Sequence, residues 1–284
     1  MSKIGIIGGS GLYQIEGLKN IKWTKVQTPF GDPSDEYLTG ALDGREIVFL
    51  PRHARGHRIL PTEVNYRANI YGMKKLGVDR ILSVSAVGSL KETIKPLDVV
   101  IPDQFVDRTN MGRNTTFFGD GIVAHVSFAD PVCSDLANLL CDIGRASGAT
   151  VHFGGTYLNM EGPMFSTKAE SNLYRQWGMD IIGMTNMPEA RLSREAEICY
   201  ATIAFVTDYD CWRQSVVDIK EVLSNLFKNV DMAKKMIKAA VSKIPEKRHC
   251  FCASALKDAI VTDKKIVPVE TMKKLELIIG KYLK

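Results

Sequence analysis

The chain has 284 residues, with 37 Lys and Arg against 32 Asp and Glu, 45% hydrophobic and 24% charged residues, 23 Gly and 11 Pro. These proportions exclude a disordered chain, a collagen and a bare coiled coil, and they suit one large α/β domain over residues 1–284. No stretch approaches the run of about 18 apolar residues that a membrane helix needs, and the net charge of +5 is too scattered for a nucleic-acid footprint, so a soluble, cytoplasmic protein with neither membrane nor nucleic-acid partner is expected.

Short apolar runs bounded by Gly, Pro or polar residues predict buried strands. The first, residues 3–7, enters Gly8-Gly9-Ser10-Gly11, which can cradle phosphate oxygens with backbone N–H groups and a hydroxyl, or can be only a tight turn. A dinucleotide fingerprint fails because its third glycine would fall at Gln14, and a Walker A loop lacks its Gly-Lys-Ser/Thr. The second strand, 47–50, runs into Arg52-His53-Ala54-Arg55-Gly56-His57, whose guanidinium forks and imidazoles suit a small anion. The third, 80–84, ends at Ser85-Ala86-Val87-Gly88, with small side chains and hydroxyls that can complete such a pocket, and a fourth covers 99–101.

A helix is predicted after Asp130-Pro131, as N-cap and first helical position, through Leu136, Leu139, Leu140 and Ile143 to Gly148. Thr167 and Glu170 form a capping box before Leu173, Tyr174 and Trp177, with Gly178 as the stop. The strand at 180–184 delivers Met184-Thr185, and the strand at 198–206 opens into Thr207-Asp208-Tyr209-Asp210-Cys211-Trp212. Two carboxylates at the mouth of a buried strand must pair, bind metal or act on a ligand, unless they only form a turn. A long amphipathic helix follows through Leu223, Leu226, Phe227, Val230, Ile237 and Val241. Of the six cysteines, Cys250 and Cys252 form a close pair that reads as a strained disulfide, a redox pair or half a metal site; with no second pair at zinc spacing, metal is the weakest reading. Strands alternating with helices predict a single-domain three-layer α/β sandwich, a mixed central sheet flanked by helices, with ligands at the strand exits.

Taken together these motifs resemble the purine nucleoside phosphorylase superfamily and, within it, the 5′-methylthioadenosine phosphorylase family. The resemblance rests on Ile6-Ile-Gly-Gly-Ser-Gly11, Thr28-Pro-Phe-Gly31, Arg52-His53, Val64-Asn-Tyr-Arg-Ala-Asn69, Gly88-Ser-Leu90, Asp103-Gln-Phe-Val-Asp-Arg-Thr109, Glu161-Gly-Pro163, Phe165-Ser166, Met184-Thr185, Pro188-Glu189 and Thr207-Asp-Tyr-Asp-Cys-Trp212. It implies phosphate binding by Ser10, Arg52, His53, Ser85, Ala86 and Thr185. It implies a nucleoside site with Phe165 on the base, Met184 under the ribose, Asp208, Tyr209 and Asp210 at the adenine, and Ile219 and Val222 against the methylthio group, with Ser166 and Ile219 tuning substrate choice. His125 is implied to come from a neighbouring subunit, in a homotrimer or a hexamer of two trimers.

The implied reaction is reversible phosphorolysis of 5′-methylthioadenosine to adenine and 5-methylthioribose 1-phosphate, in purine and methionine salvage. Asp208 is the implied acid, no cofactor or catalytic metal is needed, and inorganic phosphate is a co-substrate. A broader purine nucleoside phosphorylase or a methylthioinosine phosphorylase is the alternative within the class; a nucleoside-binding module and a nucleotide-dependent oxidoreductase are the alternatives outside it. Two positions depart from the family pattern: Met164 stands where Arg is usual, and Gly183 where some relatives carry Asn. Cys250-Phe251-Cys252 resembles a CXC bridge of a thermophile-like branch.

Overall fold

The computed structural model describes residues 2–213 and 219–283, with the side chains of Ser10 and of residues 219–223 outside the description. The strands are β1 (Lys3–Gly8), β2 (Lys19–Thr24), β3 (Tyr37–Leu42), β4 (Arg45–Pro51), β5 (Val78–Ser89), β6 (Val99–Ile101), β7 (Gln104–Asp107), β8 (Val151–Phe153), β9 (Thr156–Asn159), β10 (Ile181–Gly183) and β11 (Cys199–Asp208). The helices are α1 (Tyr66–Lys75), α2 (Ser134–Ala146), α3 (Lys168–Gln176), α4 (Asn186–Glu195), α5 (Ile219–Lys243) and α6 (Val269–Leu283).

Alternation along the central strands divides the interior into two layers. Ile4 and Ile6 of β1, with Ala201, Ile203 and Phe205 of β11, pack with α2 and α5 on one face. Ile7, Val48, Leu50, Ile81 and Tyr200 pack with α1, α4 and α6 on the other. Both faces of the central strands are therefore apolar, and the expected three-layer sandwich is the observed one.

The sheet runs β2-β3-β4-β1-β5-β10-β9-β7, with β11 pairing to β5 and β6, and β8 added beyond β6. It is mixed: β1 lies parallel to β4 and β5, whereas β10 is antiparallel to β5. The pairing of β5 creates the site. β1 accompanies β5 as far as Ser83, opposite Ile7, and β10 joins only at Gly88 and Ser89. Between them Ser85 and Ala86 have β11 on one side, opposite Ala204 and Phe205, and among the described residues no strand on the other. This slot leaves Ala86 exposed in the middle of a central strand.

Local chemistry explains where the expected boundaries hold and where they move. Thr167 and Glu170 make both bonds of the capping box, and Gly178 follows α3 at φ 81°. The helix expected from Pro131 begins at Ser134 instead. Asp130 O accepts from Arg194 Nη2 at 2.6 Å and the Cys133 N–H donates to Tyr200 O at 2.9 Å, so 130–133 is committed to tertiary bonds before the first turn. β5 also runs further than 80–84, because β11 pairs with it from Arg80 to Gly88; Ser85 to Gly88 thus lie within the strand rather than beyond it. No helix among the described residues is long and apolar enough to cross a membrane.

One buried acid makes stability depend on pH. Glu195 accepts from Thr116 Oγ1 and the Phe117 N–H, each at 2.6 Å, yet burial pushes its carboxyl up to about 7. A raised native value means that the folded chain holds a proton the unfolded chain releases. The stabilisation is full below the ordinary carboxyl range and is lost as pH rises towards 7, by an amount of the order of 3 kcal/mol. Melting curves of Glu195→Gln are expected to flatten between pH 5 and 7.5 relative to the native chain and to lie above it at pH 8; parallel pH profiles would reject this role.

Candidate active site

The ends of β1, β4 and β11 meet the β5 slot through a connected set of bonds. The Arg52 N–H donates to Gly8 O at 3.0 Å, which ties the β4 exit to the glycine loop. At that loop Gly8 is closely packed, since an added Cβ would lie 2.6 Å from the Leu12 Cδ1 methyl and 3.2 Å from Val84 Cβ; none of Gly8, Gly9 and Gly11 has a positive φ. Ser10 opens a short 3-10 turn, and its side chain lies outside the described residues.

Arg52 is buried, and its fork is largely consumed within the protein. Nε donates to Glu189 Oε1 at 2.6 Å, Nη2 to Glu189 Oε2 at 3.1 Å and Ser83 Oγ at 2.8 Å, and Nη1 to Val84 O at 3.1 Å. Among the described residues, one Nη1 hydrogen has no acceptor. Burial opposes the charge, but the Glu189 carboxylate outweighs it and holds Arg52 above its ordinary range. The Tyr200 hydroxyl, its one proton shared between them, lies 2.7 Å from Asn186 Oδ1 and 3.0 Å from Glu189 Oε2, and Thr202 Oγ1 donates to Asn186 Oδ1 at 3.2 Å. This buried network locks the exits of β4 and β5 against α4 and β11.

His53 is driven down to about 4 by burial and by the Arg52 charge, so it is neutral at pH 7. Its Nδ1 lies 2.8 Å from Ile59 O, a carbonyl that can only accept, which assigns the proton to Nδ1 and leaves Nε2 as an acceptor. The ring stacks on His57 at 4.6 Å.

In the slot, Ser85 Oγ lies 3.1 Å from Tyr157 Oη. Tyr157 fills the space beside Gly183, where an added Cβ would fall 1.8 Å from Tyr157 Oη. The absence of a side chain at 183 is thereby explained by this tyrosine. Thr185 is buried, and its hydroxyl makes no capping bond to α4.

At the β11 mouth Asp208 stands opposite Gly88, with its carboxylate oriented by Thr207 Oγ1 at 2.6 Å and by the Asp210 N–H at 2.8 Å. Asp210 is buried at φ 52°, and burial, with the Asp208 charge adding to it, raises its carboxyl above the ordinary range. α5 holds this exit from behind, since Asn225 and Asn229 donate to Thr207 O and Val206 O at 2.8 and 3.0 Å. Trp212 donates to Ser89 O at 2.7 Å under the Arg175 guanidinium, and Tyr209 packs edge-on against Trp212.

The opposite wall is the loop 160–167. Arg113 fixes it, donating to Glu161 Oε1 at 2.8 Å, Glu161 O at 2.7 Å and Met184 O at 2.7 Å. The Cys211 thiol donates to Ser166 O at 3.0 Å, joining this loop to the carboxylate loop. Phe165 is 61% exposed and Met164 is 79% exposed.

Thus Arg52, His53, Ser85, Ala86, Met184, Thr185, Asp208, Tyr209 and Asp210 lie on one bonded set of strand ends, with Phe165 and Ser166 on its facing loop. The side chains of Ile219 and Val222 lie outside the described residues. His125 is exposed, and its N–H donates to Ala259 O at 2.8 Å, which ties it to the C-terminal segment rather than to the strand exits. Glu189, Asn186, Tyr200, Tyr157, Arg113, Asn225 and Asn229 were not singled out by residue type alone; only Glu189 stood in a quoted motif, because such positioning groups carry no periodic signal.

The model of the phosphorylase superfamily matches residues 3–242. The S-methyl-5′-thioadenosine phosphorylase of Geobacter sulfurreducens is 62% identical over 99% of both chains. The crystal structure of a methylthioadenosine phosphorylase from an antarctic soil metagenomic library superposes with a TM-score of 0.94 at 51% identity, covering 98% of both chains. The methylthioadenosine phosphorylase of Schistosoma mansoni in complex with adenine superposes at 0.81 with 37% identity, covering 90% of this chain and 96% of that one. By sequence and fold, the chain belongs to the phosphorylase superfamily and, within it, to the S-methyl-5′-thioadenosine phosphorylases.

Proposed function

We infer that the chain catalyses reversible phosphorolysis of 5′-methylthioadenosine, giving adenine and 5-methylthioribose 1-phosphate. The observation that carries this reading is the pair Asp208 and Asp210 at the β11 mouth, beside the open slot of β5, in a chain that matches such enzymes along nearly its whole length. Phosphate binds in the slot against Ser10, the remaining Arg52 N–H, Ser85, Ala86 and Thr185. Because Glu189 already balances Arg52, the anion is held more by directed hydrogen bonds than by net charge. Neutral His53 adds an acceptor at Nε2, which suits hydrogen phosphate with its own proton turned to the imidazole.

Phosphate held in this way attacks C1′ as the bond to adenine breaks, through an oxocarbenium-like state with inversion. Asp208 enters the step as the protonated acid: one oxygen gives its proton to the departing base, and the other accepts from the 6-amino group of adenine rather than opposing a 6-oxo group, leaving a carboxylate. Phe165 covers the base, Met184 lies under the ribose, and Ile219 and Val222 exclude water from the methylthio end, with Ser166 and Ile219 tuning that choice. The chain works as one catalytic domain in the cytoplasm, with phosphate as co-substrate and no cofactor. It assembles as a homotrimer or a hexamer of two trimers, in which the partner subunit's His125 closes the sugar end.

Initial rates on 5′-methylthioadenosine, adenosine, methylthioinosine and inosine test the substrate. We expect kcat/KM to be highest for 5′-methylthioadenosine, and lowest for inosine, by roughly 10²-fold or more. A lead for inosine or methylthioinosine would replace this reading with the broader one.

Tyr157→Phe tests the slot. It removes the hydroxyl that meets Ser85 Oγ at 3.1 Å, and a buried polar group left without its partner costs about 1–3 kcal/mol. The KM for phosphate is expected to rise about tenfold with a smaller change in the KM for the nucleoside. Equal changes in both would show that Tyr157 acts only on the fold.

A further inference from the structure

Four cysteines far apart in sequence converge at the opposite end of β11 from the carboxylates. Cys133, Cys199, Cys250 and Cys252 have all four sulfurs within 4.8 Å of one another, and Cys199 Sγ lies 3.3 Å from Cys250 Sγ. All are free thiols, with Cys250 half-buried and the other three buried. Each is carried by a fixed piece of backbone: Cys133 is the N-cap of α2, Cys199 begins β11, and Cys250 and Cys252 flank the start of a C-terminal 3-10 turn, Phe251–Ser254.

Four thiolates about 2.3 Å from a common tetrahedral centre stand about 3.8 Å apart, so this cluster needs only small shifts to enclose one ion. The 3.3 Å separation of Cys199 and Cys250, by contrast, is well beyond the sulfur–sulfur bond of about 2.05 Å in a disulfide. We propose that Cys133, Cys199, Cys250 and Cys252 form a structural Zn²⁺ site.

An all-sulfur, closed tetrahedral set suits zinc and disfavours calcium and magnesium, which require oxygen ligands. Zn²⁺ replaces four thiol protons, which pass to solvent, and no electron is transferred. The resulting unit carries two negative charges. A cavity of about 210 Å³ beside Cys133, Cys199 and Cys250, lined by Arg80, Lys247, Arg248 and His249 as well as Asp135, gives an entry path from solvent; Arg80 and Arg248 also pair with Asp79, so among the described residues Lys247 is the lining cation that adds an unbalanced charge. The backbone N–H groups of the first turn of α2 add to the positive field at Cys133.

The site is structural rather than catalytic because β11 separates Cys199 from Asp208 by nine residues, about 30 Å of extended chain. Cys250 and Cys252 lie beyond residues 3–242, the part matched to the superfamily, so the ion would staple the C-terminal segment to β11 and α2. This proposal rests on the thiols alone and is independent of the proposed reaction.

The test is metal analysis of the full chain, produced without a metal-affinity tag and purified with a reductant. We expect about one zinc per chain in the native protein and in Cys141→Ser, a control outside the cluster, and loss of the zinc in Cys250→Ser. Removing zinc with a chelator is expected to lower Tm by roughly 5–10 °C while leaving kcat at 25 °C unchanged. Should Cys250→Ser fail to fold, the native chain supplies a second reading. Titration of its thiols with a mercurial is expected to release one zinc to a chromophoric chelator, and cobalt replacement to give the charge-transfer and ligand-field bands of a tetrahedral tetrathiolate. Metal-free protein with free thiols, a mass lower by the hydrogens of disulfides among these four cysteines, or stoichiometric iron in place of zinc would each overturn the assignment.

Discussion

Asp208→Asn is expected to lower kcat/KM for 5′-methylthioadenosine by about 10²–10⁴-fold, chiefly through kcat, with little change in Tm. The asparagine keeps the shape of the group and an oxygen for the Asp210 N–H, now at 2.8 Å from Asp208, but it has no proton to give to the leaving adenine. Its amide nitrogen would instead donate towards the 6-position of the base, so the ratio of 6-oxopurine to 6-aminopurine activity is expected to rise. Steady-state kinetics on 5′-methylthioadenosine and methylthioinosine check both parts. Retention of most of the native kcat would assign the proton to another group, and Asp210, whose carboxyl burial already raises, would be the next to test.

Glu189→Gln is expected to be the most damaging single change to the scaffold of the site. It leaves the buried Arg52 guanidinium without its counter-charge, a loss of about 3–5 kcal/mol that would lower Tm by roughly 10 °C. The same change frees the fork that now binds Glu189 Oε1 and Oε2, so Arg52 would no longer be held against Ser83 and Val84. The KM for phosphate is expected to rise more than tenfold. Calorimetry and phosphate saturation curves measure the two effects, and an unchanged Tm would show that the pair does not organise the strand exits.

The central strands were legible in the sequence because both of their faces are buried. Ile4, Ile6 and Ile7, or the run from Cys199 to Val206, are apolar whichever layer they face, and such runs stand out from their polar surroundings. Helix α3 was equally legible, since its capping box is written in two residues, Thr167 and Glu170. The outer strands were not: β2 exposes most of its residues and β8 has only three, too few for alternation to be counted, whereas the equally short β6 and β10, inside the sheet, fell within the apolar runs at 99–101 and 180–184. The start of α2 moved because the bonds of Asp130 O and the Cys133 N–H belong to residues some 64 and 67 positions away, where local capping rules have no view.

The same division holds at the site. Groups that face a ligand sit at strand exits in motifs that can be recognised, as Arg52-His53 and Asp208-Tyr-Asp210 do. The groups that hold them arrive from elsewhere: Glu189 meets Arg52 across 137 residues, and Tyr157 meets Ser85 across 72. A sequence with 37 Lys and Arg reveals which of them stand near an anion site only when the strands are placed. The thiol cluster is the clearest instance. Cys250 and Cys252 alone left metal as the weakest of three readings, and the fold then brought Cys133 and Cys199 to within 4.8 Å of them.

Release of adenine from 5′-methylthioadenosine, followed with and without inorganic phosphate in the native chain, tests the central claim most directly. The account predicts release that depends on phosphate and yields one 5-methylthioribose 1-phosphate for each adenine. Release at the same rate without phosphate, giving the free sugar, would make the protein a hydrolase and contradict the role assigned to the β5 slot.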